Sequence, residues 1–408
     1  MAGDMKDKTS SKANAEKKKA GTLAKASDIV RGFPGDDNFK LVVKGIFAAA
    51  ALLSLLLLII AGADLRPSAV VQGVKEKYAF THASGDGFPV DITGGRIIRA
   101  SGVTKGTAVL TNTKCLIYDG KGREVISVNH DLASPAMESD GEYILLFDSM
   151  GKDFTVRTLS DVISEGKTEN SIICADISRS GRFALVTNSE TNNARLIVYS
   201  PEGKVLHKWK SVSYKISDVA ISPSGKYIAL CGFSSQKGVL VSTVILQQVG
   251  AKENLKEFTF ENTLIADIAF HGNSEVVAIG DDLAAYLSVK KDNNKIYDYA
   301  GKTLNCYDLS EKGELALVFS GHSDGRNSSV VVIDSSCLEK AKIETAMTSP
   351  YVNLGNGQIH LLHQSGVSSY NYKGKLLRQS EVQADCQSIF TSEGRLLAEG
   401  IMYLSEIG

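Results

Sequence analysis

A short phrase recurs along this chain: an apolar run enters a small polar turn that ends in glycine or asparagine, and a second apolar run leaves it. The stretch "SDVAISPSGKYIALCG", residues 217–232, shows it most clearly. Consecutive turns are separated by 35 to 48 residues, and their last residues are Gly106, Gly141, Gly181, Gly225, Asn273, Gly313, Gly357 and Gly394. Such a spacing predicts a fold made of eight similar units stacked on one another.

Each unit also has the composition of a small β-sheet. The second apolar run, such as "RFALVTN", is followed by a third, such as "ARLIVYS", and in several units by a fourth, such as "KVLHKW". About four short strands in a period near 40 residues are typical of a β-propeller blade. The sequence therefore predicts an all-β, eight-bladed propeller. Seven blades are the alternative if the first or last unit merges with its neighbour.

The last unit ends at Gly408 after only three strands, which would leave a sheet edge open. The segment "FPVDI", Phe88–Ile92, lies unassigned before the first unit. Its alternation places Phe88, Val90 and Ile92 on one face, as in a half-buried strand. We therefore expect this segment to complete the last blade, so that the propeller spans residues 88–408.

The N-terminal part has a different character. Residues 1–40 are rich in Lys, Ala and Ser and predict a disordered, basic, cytoplasmic tail. Residues 45–63 contain no charge, and with the apolar residues just before them they predict a transmembrane helix over 41–63. Cleavage as a secretory signal after Ala63 is the alternative. The basic flank predicts an anchor in the cell membrane, followed by a linker over 64–87 and an extracytoplasmic propeller.

The charge of the body bears on its partners. Residues 1–44 carry ten Lys and Arg against six acids, so the remainder is mildly acidic in a chain of net charge −1. A mildly acidic surface is a poor match for phosphate backbones, so no nucleic-acid partner is expected. The expected contacts are the membrane, crossed once, and a protein partner.

Two resemblances support this plan. The phrase "ISPSGKYIAL" resembles the repeats of TolB-like, WD-like and quinoprotein-type propellers. The order of basic tail, single apolar anchor and external propeller resembles a bacterial family of domains of unknown function, the 5711 family. The second resemblance implies a fold and a topology, and it brings no catalytic residue with it.

The sequence contains few motifs that indicate catalysis, metal binding or cofactor binding. "GHSDG", residues 321–325, fits the G-x-S-x-G pattern of serine hydrolases, but a strand follows it instead of a helix, so we interpret Ser323 as part of a hairpin loop. His360 and His363 are three residues apart on a strand, which places them on opposite faces and disfavours a shared metal. With Trp209 as the only tryptophan, a quinone cofactor is not expected, and neither is any other cofactor. The six cysteines fall mostly in different blades, which predicts buried free thiols.

The innermost strands supply the candidate site. Four carboxylates near the predicted axis are candidates for lining the funnel: Asp176, Asp218, Asp267 and Asp308. The alternative for these residues is hydrogen bonding to the backbone of the neighbouring blade. We expect a binding or scaffold module for a protein or an envelope ligand. The alternative function is a hydrolase or another enzyme that uses polar residues in the funnel.

Overall fold

The computed structural model describes residues 67–321 and 327–408. The predicted tail and transmembrane helix, residues 1–63, lie outside the described residues, and so does Ser323. No helix within the described ranges is long and apolar enough to cross a membrane. The compact unit that carries the propeller runs from Val74 to Gly408.

A helix, α1 (Pro67–Thr81), occupies much of the segment that was expected to be a linker. Proline suits the first turn of a helix because its missing N–H would have no intrahelical partner there. Within the propeller unit, the second half of α1 is held by side-chain contacts. Lys75 Nζ lies 2.7 Å from Asp161 Oδ2, Glu76 Oε1 lies 2.6 Å from Lys105 Nζ, and Phe80 packs on the core of blades one and two.

In the described residues, eight antiparallel sheets of four strands each form the blades. The strands of the first half of the chain are β1 (Val90–Asp91), β2 (Ile97–Val103), β3 (Gly106–Thr111), β4 (Lys114–Asp119), β5 (Glu124–Asn129), β6 (Pro135–Asp140), β7 (Tyr143–Asp148), β8 (Asp153–Thr158), β9 (Val162–Lys167), β10 (Ile172–Ile177), β11 (Phe183–Thr187), β12 (Ala194–Tyr199), β13 (Val205–Ser211), β14 (Lys215–Ile221), β15 (Tyr227–Gln236), β16 (Val239–Gln248) and β17 (Asn254–Glu261). The strands of the second half are β18 (Ile265–His271), β19 (Glu275–Gly280), β20 (Leu283–Ser288), β21 (Lys295–Asp298), β22 (Leu304–Leu309), β23 (Leu315–Ser320), β24 (Ser328–Ile333), β25 (Glu339–Thr345), β26 (Tyr351–Gly355), β27 (Gln358–His363), β28 (Gly366–Tyr370), β29 (Leu376–Ser380), β30 (Ser388–Ser392), β31 (Arg395–Glu399) and β32 (Tyr403–Glu406).

Blades one to seven each use four consecutive strands, from β2–β5 in blade one to β26–β29 in blade seven. The eight predicted turn residues lie at or beside the turns between the first and second strands. Gly181 and Gly225, for example, have φ of +76° and +65°, a conformation that glycine adopts without steric cost. The eight-bladed prediction is confirmed.

Blade eight closes the ring as the sequence predicted. Its strand order is β30-β31-β32-β1, so the outermost strand comes from the N-terminal side of the propeller. Val90 pairs with Leu404 and Asp91 with Tyr403, and the Ile92 N–H donates to the Met402 carbonyl over 2.7 Å. Ile92 is 3% exposed, whereas Asp91 on the other face is exposed. The half-buried alternation therefore reflects a strand with one face on the core.

The cores lie between blades. Ala184 and Val186 of β11 pack with Ile216 and Val219 of β14 and Ile228 of β15, which joins blade three to blade four. The second strands are apolar on both faces because each blade is covered by a neighbour on either side.

The cysteines follow the same layout. All six are free thiols, but only Cys115 and Cys231 are fully buried, and the other four are half-buried. The prediction of free thiols is therefore confirmed, whereas complete burial holds for two of them. Those four lie on a first strand or in a loop.

Candidate functional site at the propeller axis

The first strand of each blade faces the axis, and these strands lie against one another from blade to blade. A cavity of about 400 Å³ is walled by the first strands of blades one to five, and Asp176, Asp218 and Asp267 line it. Asp308 lies elsewhere, in a pocket of about 490 Å³ at the turn end of blades six to eight. The structure thus brings together three of the four candidate carboxylates.

Two of these carboxylates join neighbouring blades through the backbone. Asp176 accepts a hydrogen bond from its own neighbour, the Ile177 N–H, at 2.8 Å, and another from the Ile221 N–H of blade four at 2.7 Å. Asp218 repeats this arrangement one blade further on, with the Val219 N–H at 2.8 Å and the Ile268 N–H of blade five at 3.0 Å. Each carboxylate therefore fastens its strand to the next first strand in the ring.

The other two make the same kind of link with different partners. Asp308 accepts from the Leu354 N–H of blade seven at 2.6 Å and from Asn353 Nδ2 at 3.2 Å. Asp267 instead accepts from the Tyr307 hydroxyl of blade six at 2.6 Å. All four aspartates thus hydrogen-bond across a blade junction, and three of them do so through backbone N–H groups.

Irregularities in the first strands set these positions. The pairing register shifts immediately before Asp218 in β14 and before Asp267 in β18, which indicates a β-bulge at each place. A bulge adds one residue to a strand and redirects the side chains that follow it. Cys174 and Cys306 come directly after the same shift in blades three and six. The four residues share one register position, so Asp176 and Asp308, two residues further on, lie closer to the turn.

Burial changes the charge of this cavity. It raises the pKa of Asp176 well above the usual range, with the nearby Glu138 adding to the rise. Burial, reinforced by the charge of Asp267, raises the pKa of Asp218 to about 8. At neutral pH the wall therefore holds fewer negative charges than its carboxyl groups suggest.

Two further residues belong to this cavity although the sequence did not single them out. Arg99 of β2 and Glu138 of β6 form an ion pair, with Nη1 and Oε1 3.0 Å apart. Burial raises the pKa of Glu138 to about 6, Arg99 opposes the rise, and Asp267, three blades away, adds to it. The carboxyl group of Glu138 is therefore affected by the charge of Asp267 across the axis. Arg99 directly follows a register shift in β2, as Asp218 does in β14, whereas nothing in the sequence of β6 distinguishes Glu138 from its polar neighbours.

At the turn end of the ring, side chains from the turns of blades three and six contact each other. Arg179, in the turn between β10 and β11, bonds Asp140 through Nε at 3.0 Å, and its Nη2 lies 3.8 Å from Glu311 Oε1. Glu311 belongs to the turn between β22 and β23 of blade six, so this contact joins turns that are three blades apart. Both side chains are largely exposed, so the pair contributes little stability. The contact shows that the turns of blades three and six come close to each other at the turn end of the axis.

The chain matches one known family. A family of unknown function, DUF5711, matches residues 102–400. The chain belongs to this family. The match begins at the end of β2 and stops just after β31, so it covers most of the propeller and leaves out β1 and β32. Among curated proteins, none matches the chain.

The similarity to solved structures concerns only the fold of this DUF5711 member. A crystal structure of the eukaryotic initiation factor is 13% identical, with a TM-score of 0.51, and the match covers 76% of this chain and 88% of that one. The Neurospora crassa Pan2 WD40 domain is 17% identical at a TM-score of 0.41, covering 54% of this chain and 71% of the other. KlHsv2 with loop 6CD replaced by a Gly-Ser linker is 16% identical at 0.42, covering 57% and 77%.

The two histidines of β27 have separate partners in this DUF5711 chain. His360 Nδ1 lies 2.8 Å from Ser369 Oγ, and His363 Nε2 lies 2.8 Å from Ser368 Oγ. Ser368 and Ser369 are consecutive on β28 and so point to opposite faces, as the sequence predicted for the histidines. Burial lowers the pKa of both. Over residues 67–321 and 327–408, no three His, Cys, Asp or Glu side chains are grouped to hold a metal ion.

Proposed function

We propose that this chain is a membrane-anchored, extracytoplasmic propeller that acts as a binding or scaffold module for a protein or an envelope ligand. The observation that carries the proposal is the pocket of about 490 Å³ at the turn end of blades six to eight. Side chains from three blades converge there, including Glu311, Lys312, Asn356 and Glu393. A concave surface with a few converging polar groups is the usual form of a binding site.

The bonding of the axial aspartates supports binding in preference to catalysis by those residues. A general base must reach a substrate proton. Asp176, Asp218 and Asp308 instead direct oxygens at backbone N–H groups of the neighbouring blades. These bonds keep the ring rigid, and a rigid ring holds the turns of several blades in a fixed arrangement for a partner.

The membrane part of the proposal is supported by the sequence. A charge-free run over residues 45–63 follows ten basic residues, and such a flank stays in the cytoplasm. The propeller would then face the cell envelope, where protein and envelope ligands are available.

Photo-crosslinking in intact membranes tests the proposed binding face. A photoreactive amino acid replaces Glu311, which is 93% exposed at the turn end. A matched variant carries it at Glu190, an exposed glutamate between β11 and β12 at the opposite end of the ring. We expect a discrete adduct, identifiable by mass spectrometry, from position 311 only. The same adducts from both positions, or none from position 311, would contradict the proposal.

A further inference from the structure

Arg157 is a buried cation away from the axis. It lies on β8 of blade two, is 3% exposed, and lines a cavity of about 700 Å³ between blades one and two. On the same strand, Phe154 and Val156 face the core shared with blade three. Because side chains alternate along a strand, Arg157 faces blade one, where Cys115 is among its neighbours.

The fold does not require an arginine at this position. The pairing register between the third and fourth strands shifts immediately before Arg157. The residues that directly follow the same shift in blades one, three and six are Tyr118, Tyr199 and Ile333. All three are uncharged, and each packs with residues of the preceding blade, just as Arg157 faces blade one. A charge therefore stands in blade two where three other blades place an uncharged side chain.

The guanidinium is poorly satisfied. Its Nε donates to the Thr158 carbonyl oxygen at a long 3.4 Å, and its other polar neighbour is the thiol of Cys115. Across the part of the chain that the structure describes, no carboxylate lies within 4 Å of Arg157, although twelve such ion pairs occur there. Gln247, the equivalent residue in blade four, bonds both His207 and Asn254. An arginine stays charged at every relevant pH, and a buried charge without a partner is costly.

The surroundings define what could supply the missing partner. Val128 and Val162, both substantially exposed, give the cavity apolar walls, and Asn129 offers an amide. Asp131 and Glu165 stand at its exposed edge. These carboxylates repel a ligand with several negative charges more strongly than a ligand with a single anionic group. The planar fork of a guanidinium matches a carboxylate bidentately.

We propose that this cavity binds the carboxylate of a ligand with an apolar stem, with Arg157 as the anchor. The carboxylate would belong either to a free organic acid or to the C-terminus of a peptide. The site is separate from the axial cavity and from the turn-end pocket, so it does not depend on the function proposed above.

The test titrates carboxylates into the full chain and measures its melting temperature. Hexanoate is compared with hexanamide, and a tripeptide that ends in leucine is compared with its C-terminal amide. We expect the carboxylates to raise the melting temperature in a concentration-dependent way and the amides to leave it unchanged, because only the carboxylates pair with Arg157. The more effective carboxylate identifies the source of the ligand. Melting temperatures of wild type that are the same with all four probes would overturn the proposal.

Two variants separate binding from folding. Arg157→Gln introduces the residue that blade four carries and should weaken carboxylate binding at least tenfold. Arg157→Met should melt above wild type without ligand, because it removes an unpaired buried charge. A carboxylate response that survives in Arg157→Gln would refute the assignment. The assignment would also be refuted if Glu165→Gln were less stable than wild type and wild type showed no response to carboxylates, because Glu165 would then be the counter-ion of Arg157.

Discussion

Ile92 offers the clearest perturbation of ring closure. Its side chain is 3% exposed and packs with Tyr118, Val109 and Leu404, which links β1 to both blade eight and blade one. Ile92→Ala removes three buried carbons, each worth about 0.8 kcal/mol of transfer free energy. The residual cavity adds to this loss, so the free energy of unfolding should fall by about 2–4 kcal/mol.

The chain supplies its own distant reporter. Trp209 is the only tryptophan, and it lies on β13 of blade three, against the core shared with blade four. A closed ring should unfold as one cooperative unit, so the fluorescence transition of Trp209 should report damage at blade eight. With a urea m-value of about 3 kcal/mol/M, the midpoint should fall by roughly 1 M.

Asp91→Ala is the matched control, because Asp91 is the adjacent residue on the exposed face of β1. Its effect should stay within about 0.5 kcal/mol, as for most surface substitutions. Equal Trp209 midpoints for the two variants would refute the reasoning. The N-terminal strand would then contribute nothing to the stability of the distant blades.

Three further predictions follow from the site, the cysteines and the anchor. Asp218 has a pKa of about 8 in the folded chain against about 4 unfolded. Between these two pH values the folded state keeps a proton that the unfolded state releases. The contribution of Asp218 to the free energy of unfolding is therefore full below about pH 4 and is lost as the pH rises to 8. In urea melts at several pH values, Asp218→Asn should make the free energy of unfolding fall less steeply with pH over this range, although the variant loses one hydrogen bond. An unchanged slope would contradict the assignment. Alkylation after unfolding without reductant should label all six cysteines by mass, and labelling of four or fewer would reveal a disulfide. Protease added to intact cells stripped of their wall should digest the propeller and spare the tail, and a protected propeller would exclude the proposed topology.

The fold was largely predictable because its signals are local. A turn residue, two apolar runs and a period near 40 residues recur in every unit, and the alternation in Phe88–Ile92 is visible without knowing its partner strand. The helix α1 was missed because its second half is fixed by contacts with distant residues, such as that of Lys75 with Asp161. A charge pair of that separation leaves no pattern in the sequence.

The candidate site was only partly predictable for a similar reason. Asp176, Asp218 and Asp267 share a cavity because their strands are innermost, which the repeat indicates. Their hydrogen-bond partners depend on bulges and on the offset between neighbouring blades, and neither can be obtained from a single chain position. The burial of Arg157 was missed because a charged residue in "DFTVRTL" is compatible with an exposed strand face. Only the packing of blade one against blade two shows that this face is covered.

The central structural claim is that the N-terminal strand completes blade eight. Asp91 and Tyr403 lie directly opposite each other across the β1–β32 pair. Cross-strand neighbours are close enough for a disulfide, so the double substitution Asp91→Cys and Tyr403→Cys tests the pairing directly. After mild oxidation and alkylation of the remaining thiols, mass spectrometry should find one peptide that joins positions 91 and 403. If both introduced thiols are alkylated, or if position 91 is joined to another residue, the ring is not closed by this strand.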